Sequence, residues 1–212
     1  FKYNIMKFRK IAAFSIAAAL AVSVAWGDKV VFLHTNDTHS SIDPVLPVGG
    51  ILQRKAIVDS VRKADKNVLL IDAGDAVQGT LYFKFFGGDV EYPLMNMMDY
   101  DIRILGNHEF DNGLKQLADH YKDVKADRLS ANYDFSNTPL KGMFRPYVIK
   151  KIGGKKIGFI GININPESLM SKQNYDGLVY KDLIKTANET ARMLKHDKKC
   201  DAVIVVSHIG VS

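Results

Sequence analysis

VLLIDAGDAVQGT (68–80) runs four apolar residues into a polar loop built of Gly, Asp, Gln and Thr. Four apolar residues in a row, too few for a helix and bounded by turn residues, read as a strand buried on both faces. The loop that follows carries an acid at Asp75. The same pattern recurs outward in both directions. VVFL (30–33) leads into TNDTHSS (35–41), and IRIL (102–105) leads into GNHEFDNG (106–113). IGFIGI (157–162) and AVIVV (202–206) complete the set, the last running into Ser207 and His208. Between these runs apolar residues recur at helical spacing: Ile51, Ile57, Val58 and Val61, then Leu94, Met97 and Met98, then Leu183, Ile184, Ala187, Ala191 and Leu194. Strands alternating with amphipathic helices specify an α/β domain with mainly parallel, buried strands. Tyr147 to Ile152 and Lys155 to Ile160, joined by Gly153 and Gly154, form a hairpin pattern, so the sheets are expected to be mixed.

Composition sets the remaining bounds. The 212 residues are 47% hydrophobic and 25% charged, which fits a folded domain and excludes disordered, collagen-like and coiled-coil classes. The formal charge is +6, but Lys2, Lys7, Arg9 and Lys10 supply four of the 29 bases and no acid precedes Asp28. The remaining 25 bases meet 23 acids, so no nucleic-acid partner is inferred from the net charge. Met6 opens MKFRK, followed by an uncharged run from Ile11 to Gly27 with small residues at Ser23 and Ala25. A basic start, a short apolar run and a small-residue cleavage site read as an N-terminal extension and signal peptide over residues 1–27. The run is shorter than the ~20 residues that span a bilayer. Export to the periplasm or the exterior is expected, without stable membrane insertion after cleavage. The single Cys200 precedes an apolar strand and reads as a small packed residue.

Chemistry-bearing residues gather at strand ends. Asp37 and His39 follow the first strand, Asp75 the second, Asn107 and His108 the third, and His208 closes the last. Open α/β sheets bind ligands beyond the carboxyl ends of their strands, so these separate segments converge on one edge. Asp oxygen, His nitrogen and Asn carbonyl oxygen form a donor set for Mn, Zn, Fe or Mg rather than for thiolate-bound metals. So many donors exceed one ion's needs. The natural arrangement is two divalent ions sharing one Asp, with an activated water or hydroxide between them. Such a centre keeps a net positive charge, which attracts a phosphate and stabilises developing negative oxygen. Glu109 reads as structural, and His34 as packed or hydrogen-bonded near its strand end. His120 and His196 read as helix-surface residues.

HTNDTHSS (34–41), GGILQR (49–54), GDAVQGT (74–80), GNHEFDNG (106–113), SANY (130–133) and SHIG (207–210) together resemble successive blocks of the 5'-nucleotidase and UDP-sugar hydrolase family. The resemblance implies an N-terminal calcineurin-like metallophosphoesterase domain, a four-layer α/β/β/α sandwich with mixed sheets. It implies that residues 28–212 are an incomplete domain with its C-terminal part missing, because the family's closing G-H-x-H or G-H-x-Q block has no counterpart. Two divalent metal ions (Mn, Zn, Fe, Mg or Ca) are implied as cofactors. Asp37 and His39 would bind the first, Asn107 and His208 the second, and Asp75 both. His108 and Asp111 resemble the family's catalytic dyad. The implied reaction converts a nucleotide to nucleoside plus phosphate, using a metal-bound hydroxide. A small phosphate ester is the expected partner, with a C-terminal nucleotide-binding domain on the same or a separate chain. UDP-sugar, cyclic-nucleotide and sulfur-ester hydrolysis stay open as alternatives, as does a non-catalytic metal-binding module.

Overall fold

The structure, a computed structural model, describes residues 29–45 and 49–210. The signal-peptide reading of residues 1–27 lies outside them. The apolar runs become strands with a register that explains their burial. β1 (Val31–Thr35), β2 (Val68–Asp72), β3 (Ile102–Arg103) and β4 (Asp127–Arg128) form a parallel sheet in that order. The crossovers are α1 (Ile51–Ala64), α2 (Leu81–Phe86), α3 (Glu91–Met98) and α4 (Gly113–Tyr121). β5 (Tyr133–Asp134) follows, then β6 (Tyr147–Ile152) and β7 (Lys155–Asn163), which make the expected antiparallel hairpin. Gly153 and Gly154 sit at φ 54° and 67°, the left-handed backbone a tight two-residue hairpin turn requires. α5 (Pro166–Leu169), β8 (Val179–Tyr180), α6 (Leu183–His196) and β9 (Ala202–His208) complete the order. β9 pairs parallel to β7, giving a second, mixed sheet β6-β7-β9, and β5 pairs with β8.

Side-chain alternation stacks these elements into four layers. Leu69 and Ile71 of β2 meet Ile157 and Phe159 of β7 and Val206 of β9 between the sheets. On the opposite face of β2, Leu70 packs with Val58 of α1, Met95 and Met98 of α3 and Leu117 of α4. Beyond the second sheet, Ile160 and Ile162 pack with Leu194 and Ala191 of α6 and with Cys200. Helix, sheet, sheet and helix follow one another, as the resemblance implied. Among the described residues no helix is long and apolar enough to cross a membrane.

The structure corrects four expectations. Burial of the strands is uneven: Phe32 in edge strand β1 is 37% exposed and Val205 in β9 is 44% exposed. The third apolar run pairs over Ile102 and Arg103 alone, since the chain turns away after Leu105 to deliver Gly106 and Asn107. His34 is exposed rather than packed, because edge strand β1 is only partly covered on the face that His34 shares with Phe32. His120, expected on a solvated face, instead stacks on Tyr92 with ring centroids 4.6 Å apart, and its Nε2 bonds the Gly87 carbonyl at 3.1 Å. Cys200 is buried, as its position beside a strand predicted.

Candidate metal centre

The turn after each strand is pinned to its neighbour by backbone bonds. The amides of Asp37, His39 and Ser40 donate to the carbonyls of Gly74, Asp75 and Ala76 at 3.1, 3.0 and 3.0 Å. This locks the β1 turn onto the β2 turn. The backbone is strained where the two meet. Asp37, His39, Ser40, Asp75 and Gln78 all adopt left-handed φ, from 43° to 73°, a conformation that disfavours residues with a Cβ. Strain of this kind is retained where surrounding bonds over-determine it, and here it aims the Asp37, His39 and Asp75 side chains at one point. Gly106 permits the third turn to close on the others: a Cβ there would lie 2.1 Å from Asp75 Oδ1.

Asp75, 3% exposed, is the hub. Its Oδ1 accepts the His108 amide at 2.8 Å, and its Oδ2 lies 3.2 Å from His208 Nε2 and 4.0 Å from His39 Nε2. His39 Nε2 is also 3.4 Å from Asp37 Oδ1. The His39 and His108 rings meet edge to face with centroids 5.2 Å apart. Two ligand groups result, His39 with Asp75 and His108, and Asp37 with Asp75 and His208, each with donor atoms within 4.8 Å of one another. Both contain Asp75. Asn107, 9% exposed, directly precedes the short 3-10 turn His108–Phe110 beside this hub. Asp111 stands at the rim, where its Oδ2 lies 2.9 Å from His108 Nδ1. The structure thus brings all seven sequence-predicted positions onto one sheet edge, although it groups the histidines differently: His108 falls in with His39, and His208 with Asp37.

The donor set fits divalent cations. Asp37 and Asp75 supply anionic oxygen, the imidazoles nitrogen, and no thiol is near, which suits Mn, Zn, Fe or Mg. His39 Nδ1 is buried without a hydrogen-bond partner, an orphan that marks the ring as incompletely satisfied by protein alone. His208 Nδ1–H donates to the Ala73 carbonyl at 2.9 Å, which fixes the tautomer and leaves Nε2 facing Asp75, the usual way a ligating imidazole is oriented.

Charge at the hub explains how protons and metals compete. Burial by itself would raise the Asp75 pKa, but the His208 hydrogen bond, the His108 amide and the nearby imidazoles outweigh it and hold the carboxyl below its ordinary value. Burial likewise disfavours charged His208, yet the bond and charge of Asp75 prevail and push it up to about 9. The metal-free site therefore carries a proton on His208 at pH 7. A cation must displace it. Titrating metal-free chain with Mn²⁺ at pH 7 is expected to release about one proton, with affinity rising about tenfold per pH unit until about pH 9. Calorimetry in buffers of different ionisation enthalpy reads this directly; heats independent of buffer would contradict it.

Three supporting elements carry no obvious motif of their own. Glu109, 5% exposed, accepts the amides of Asp75 at 3.0 Å, Ala76 at 2.8 Å and Gly106 at 2.5 Å, so one carboxylate ties the second and third turns. Asn163, at the end of β7, is bonded to Asn132 in both directions, at 2.7 and 2.8 Å, accepts Ser130 Oγ at 2.7 Å and reaches the Leu105 carbonyl. Its place at a strand end was the one available signal. Buried Asp72 accepts Thr35 Oγ1 at 2.9 Å and faces Arg103 Nε at 3.4 Å, bracing β1, β2 and β3 just below the site.

Sequence and structure comparisons identify the family and the fold. The model for the calcineurin-like phosphoesterase family matches residues 30–212. The 5'-nucleotidase of Rattus norvegicus is 33% identical over 198 residues, covering 86% of this chain and 34% of that protein. The NAD 5'-nucleotidase of Haemophilus influenzae is 33% identical, covering 95% of this chain and 37% of its own length. The crystal structure of a 5'-nucleotidase precursor from Thermus thermophilus superposes with a TM-score of 0.78 at 36% identity, covering 85% of this chain and 37% of that one. The chain thus spans about a third of the length of the relatives it matches. With a family model matching nearly the whole described chain and the sandwich fold in place, this chain belongs to the calcineurin-like phosphoesterase family.

Proposed function

We propose that the chain is the metal-binding front portion of an exported phosphoric ester hydrolase acting on nucleotides, releasing nucleoside and phosphate. The observation that carries this reading is the sharing of Asp75 between two ligand groups. One carboxylate common to two clusters is the arrangement that holds a pair of cations. Asp37, His39, Asp75, Asn107 and His208 would hold the ions, with Asp75 between them. When bound, such ions supply Lewis acidity toward phosphoryl oxygens and acidify water.

The chain's own residues do the rest. His108 sits with its amide tied to Asp75 and its Nδ1 held by Asp111, so the ring is oriented and Nε2 is uncommitted. From the rim this nitrogen donates to a phosphate oxygen as negative charge grows, or hands a proton to the departing alkoxide. Asp111 holds the ring in that orientation through its carboxylate, 2.9 Å from Nδ1. At half-exposed positions both groups are accessible to substrate from solvent. The nucleoside is expected to be held by the part of the protein beyond this domain, which the relatives' greater length provides. Support for nucleotides as substrate comes from relatives described as 5'-nucleotidases.

The test is a substrate panel on the full-length protein, with Mn, Zn, Mg or Ca supplied in turn. Release of phosphate from nucleoside monophosphates in preference to UDP-sugars, cyclic nucleotides and sulfur esters is the expected outcome. Preference for one of the latter would reassign the substrate, and no hydrolysis with any metal would favour a non-catalytic module.

A further inference from the structure

A net charge of only +2 from residue 28 onward conceals a segregation that the fold reveals. The strands of both parallel pairings point their carboxyl ends at the metal-ligand cluster. At their amino ends lies an open depression of 610 Å³, lined by Lys66 before β2, by Lys151, Lys155 and Lys156 around the β6–β7 turn, and by a single acid, Asp201. Contacts draw the turn between α6 and β9 into the same surface: Lys156 Nζ donates to the Lys198 carbonyl, and Lys195 Nζ to that of Asp201 at 2.7 Å. Lys199 follows in that turn, and Lys29 precedes β1 at the amino end of the first sheet, its Nζ 3.6 Å from Asp65. Of these eight lysines only Lys29 has a carboxylate within ion-pair distance among the described residues.

We propose that this lysine pole is a docking surface for an anionic lipid bilayer. Two observations favour a bilayer over a nucleic acid. The depression has no aromatic lining on which bases could stack. Its cations are lysines, mobile point charges suited to diffuse attraction, with none of the planar guanidinium forks that grip single phosphates. Adsorbed by this pole, the domain turns its metal-ligand edge outward to solvent. The lysines attract anionic headgroups by summed, diffuse charge, as a polybasic patch does.

The test is flotation of the 212-residue chain with phosphatidylcholine vesicles, with and without phosphatidylglycerol. Lys66→Glu/Lys151→Glu/Lys155→Glu alters the pole. Lys141→Glu/Lys181→Glu/Lys185→Glu makes the same change of net charge elsewhere on exposed positions. Both are checked for an unchanged thermal transition. On phosphatidylglycerol vesicles the first variant is expected to partition at least about tenfold more weakly than wild type and the second within about twofold of it. On neutral vesicles all three should match. Equal loss by both variants would overturn the proposal, as would equal partitioning of all three on anionic vesicles. Lys66, Lys151 and Lys155 governing retention of duplex DNA while leaving vesicle binding intact would assign the pole to nucleic acid and overturn it too.

Discussion

His108→Ala in the full-length protein is expected to lower phosphatase turnover by about 10²–10⁴-fold while leaving metal content unchanged. The separation follows from geometry. His108 presents one ring nitrogen to Asp111 at 2.9 Å and its amide, which survives the substitution, to Asp75 Oδ1. The hub carboxylate therefore keeps its backbone donor, while Asp37, His39, Asp75, Asn107 and His208 stay in place. What is lost is the oriented imidazole at the rim. His108 also falls within the ligand group of His39 and Asp75, so the measurement separates two roles for one ring. Loss of bound metal in parallel with activity would make His108 a ligand instead of a proton donor; unchanged turnover would remove it from the chemistry altogether.

The second large effect is on stability. Glu109 is buried, and its two oxygens accept three backbone amides that have no other acceptor among the described residues. Glu109→Ala leaves those donors unpaired in a dry interior, a loss of about 3–5 kcal/mol by analogy with breaking a buried charge network. Turns two and three should lose their common anchor, and metal affinity should fall with them. The group also has a pH signature. Burial, reinforced by the charges of Asp75 and Asp72, pushes its pKa up to about 7, against the opposing pull of the Ala76 and Gly106 amides. A carboxyl whose folded pKa is raised contributes stability that is fully present below its unfolded pKa of 4.5 and lost as pH rises through about 7. Urea unfolding of the metal-free protein at pH 5 and 7 should show that decline in wild type and its absence from Glu109→Ala. Equal stability of the two proteins at both pH values would remove Glu109 from the scaffold.

Much of this architecture is legible in the chain because its signals are local. Runs such as Val68 to Ile71 and Ile157 to Ile162 are apolar on both faces, and a strand clamped between a helix layer and another sheet must be. The site residues were legible for a similar reason: each lies in the polar stretch just past such a run, where parallel strands all deliver their chains to one edge. What escaped reading is non-local. The two-residue ladders β4, β5 and β8 are too short for a period to show. Of α4 (GLKQLADHY) the sequence marks only His120 as a helix residue, and α2 (LYFKFF) has no polar face to mark one. The left-handed backbone at Asp37, His39 and Asp75 is imposed by bonds between turns far apart in the chain, and nothing in D-x-H announces it. The Asn132–Asn163 brace joins positions 31 apart in the chain. The lysine pole illustrates the same point from the charge side: a nearly neutral composition carries no hint of how folding sorts its signs.

Sharing of Asp75 by two cations is what the proposed function stands on. It is read out by metal analysis of the full-length protein, dialysed against Mn²⁺ or Zn²⁺ and compared with Asp75→Asn. Two equivalents per wild-type chain and fewer than one per variant are expected, because both ligand groups pass through the same carboxylate. Two tightly held ions in Asp75→Asn, or a single ion in wild type under every condition, would contradict it.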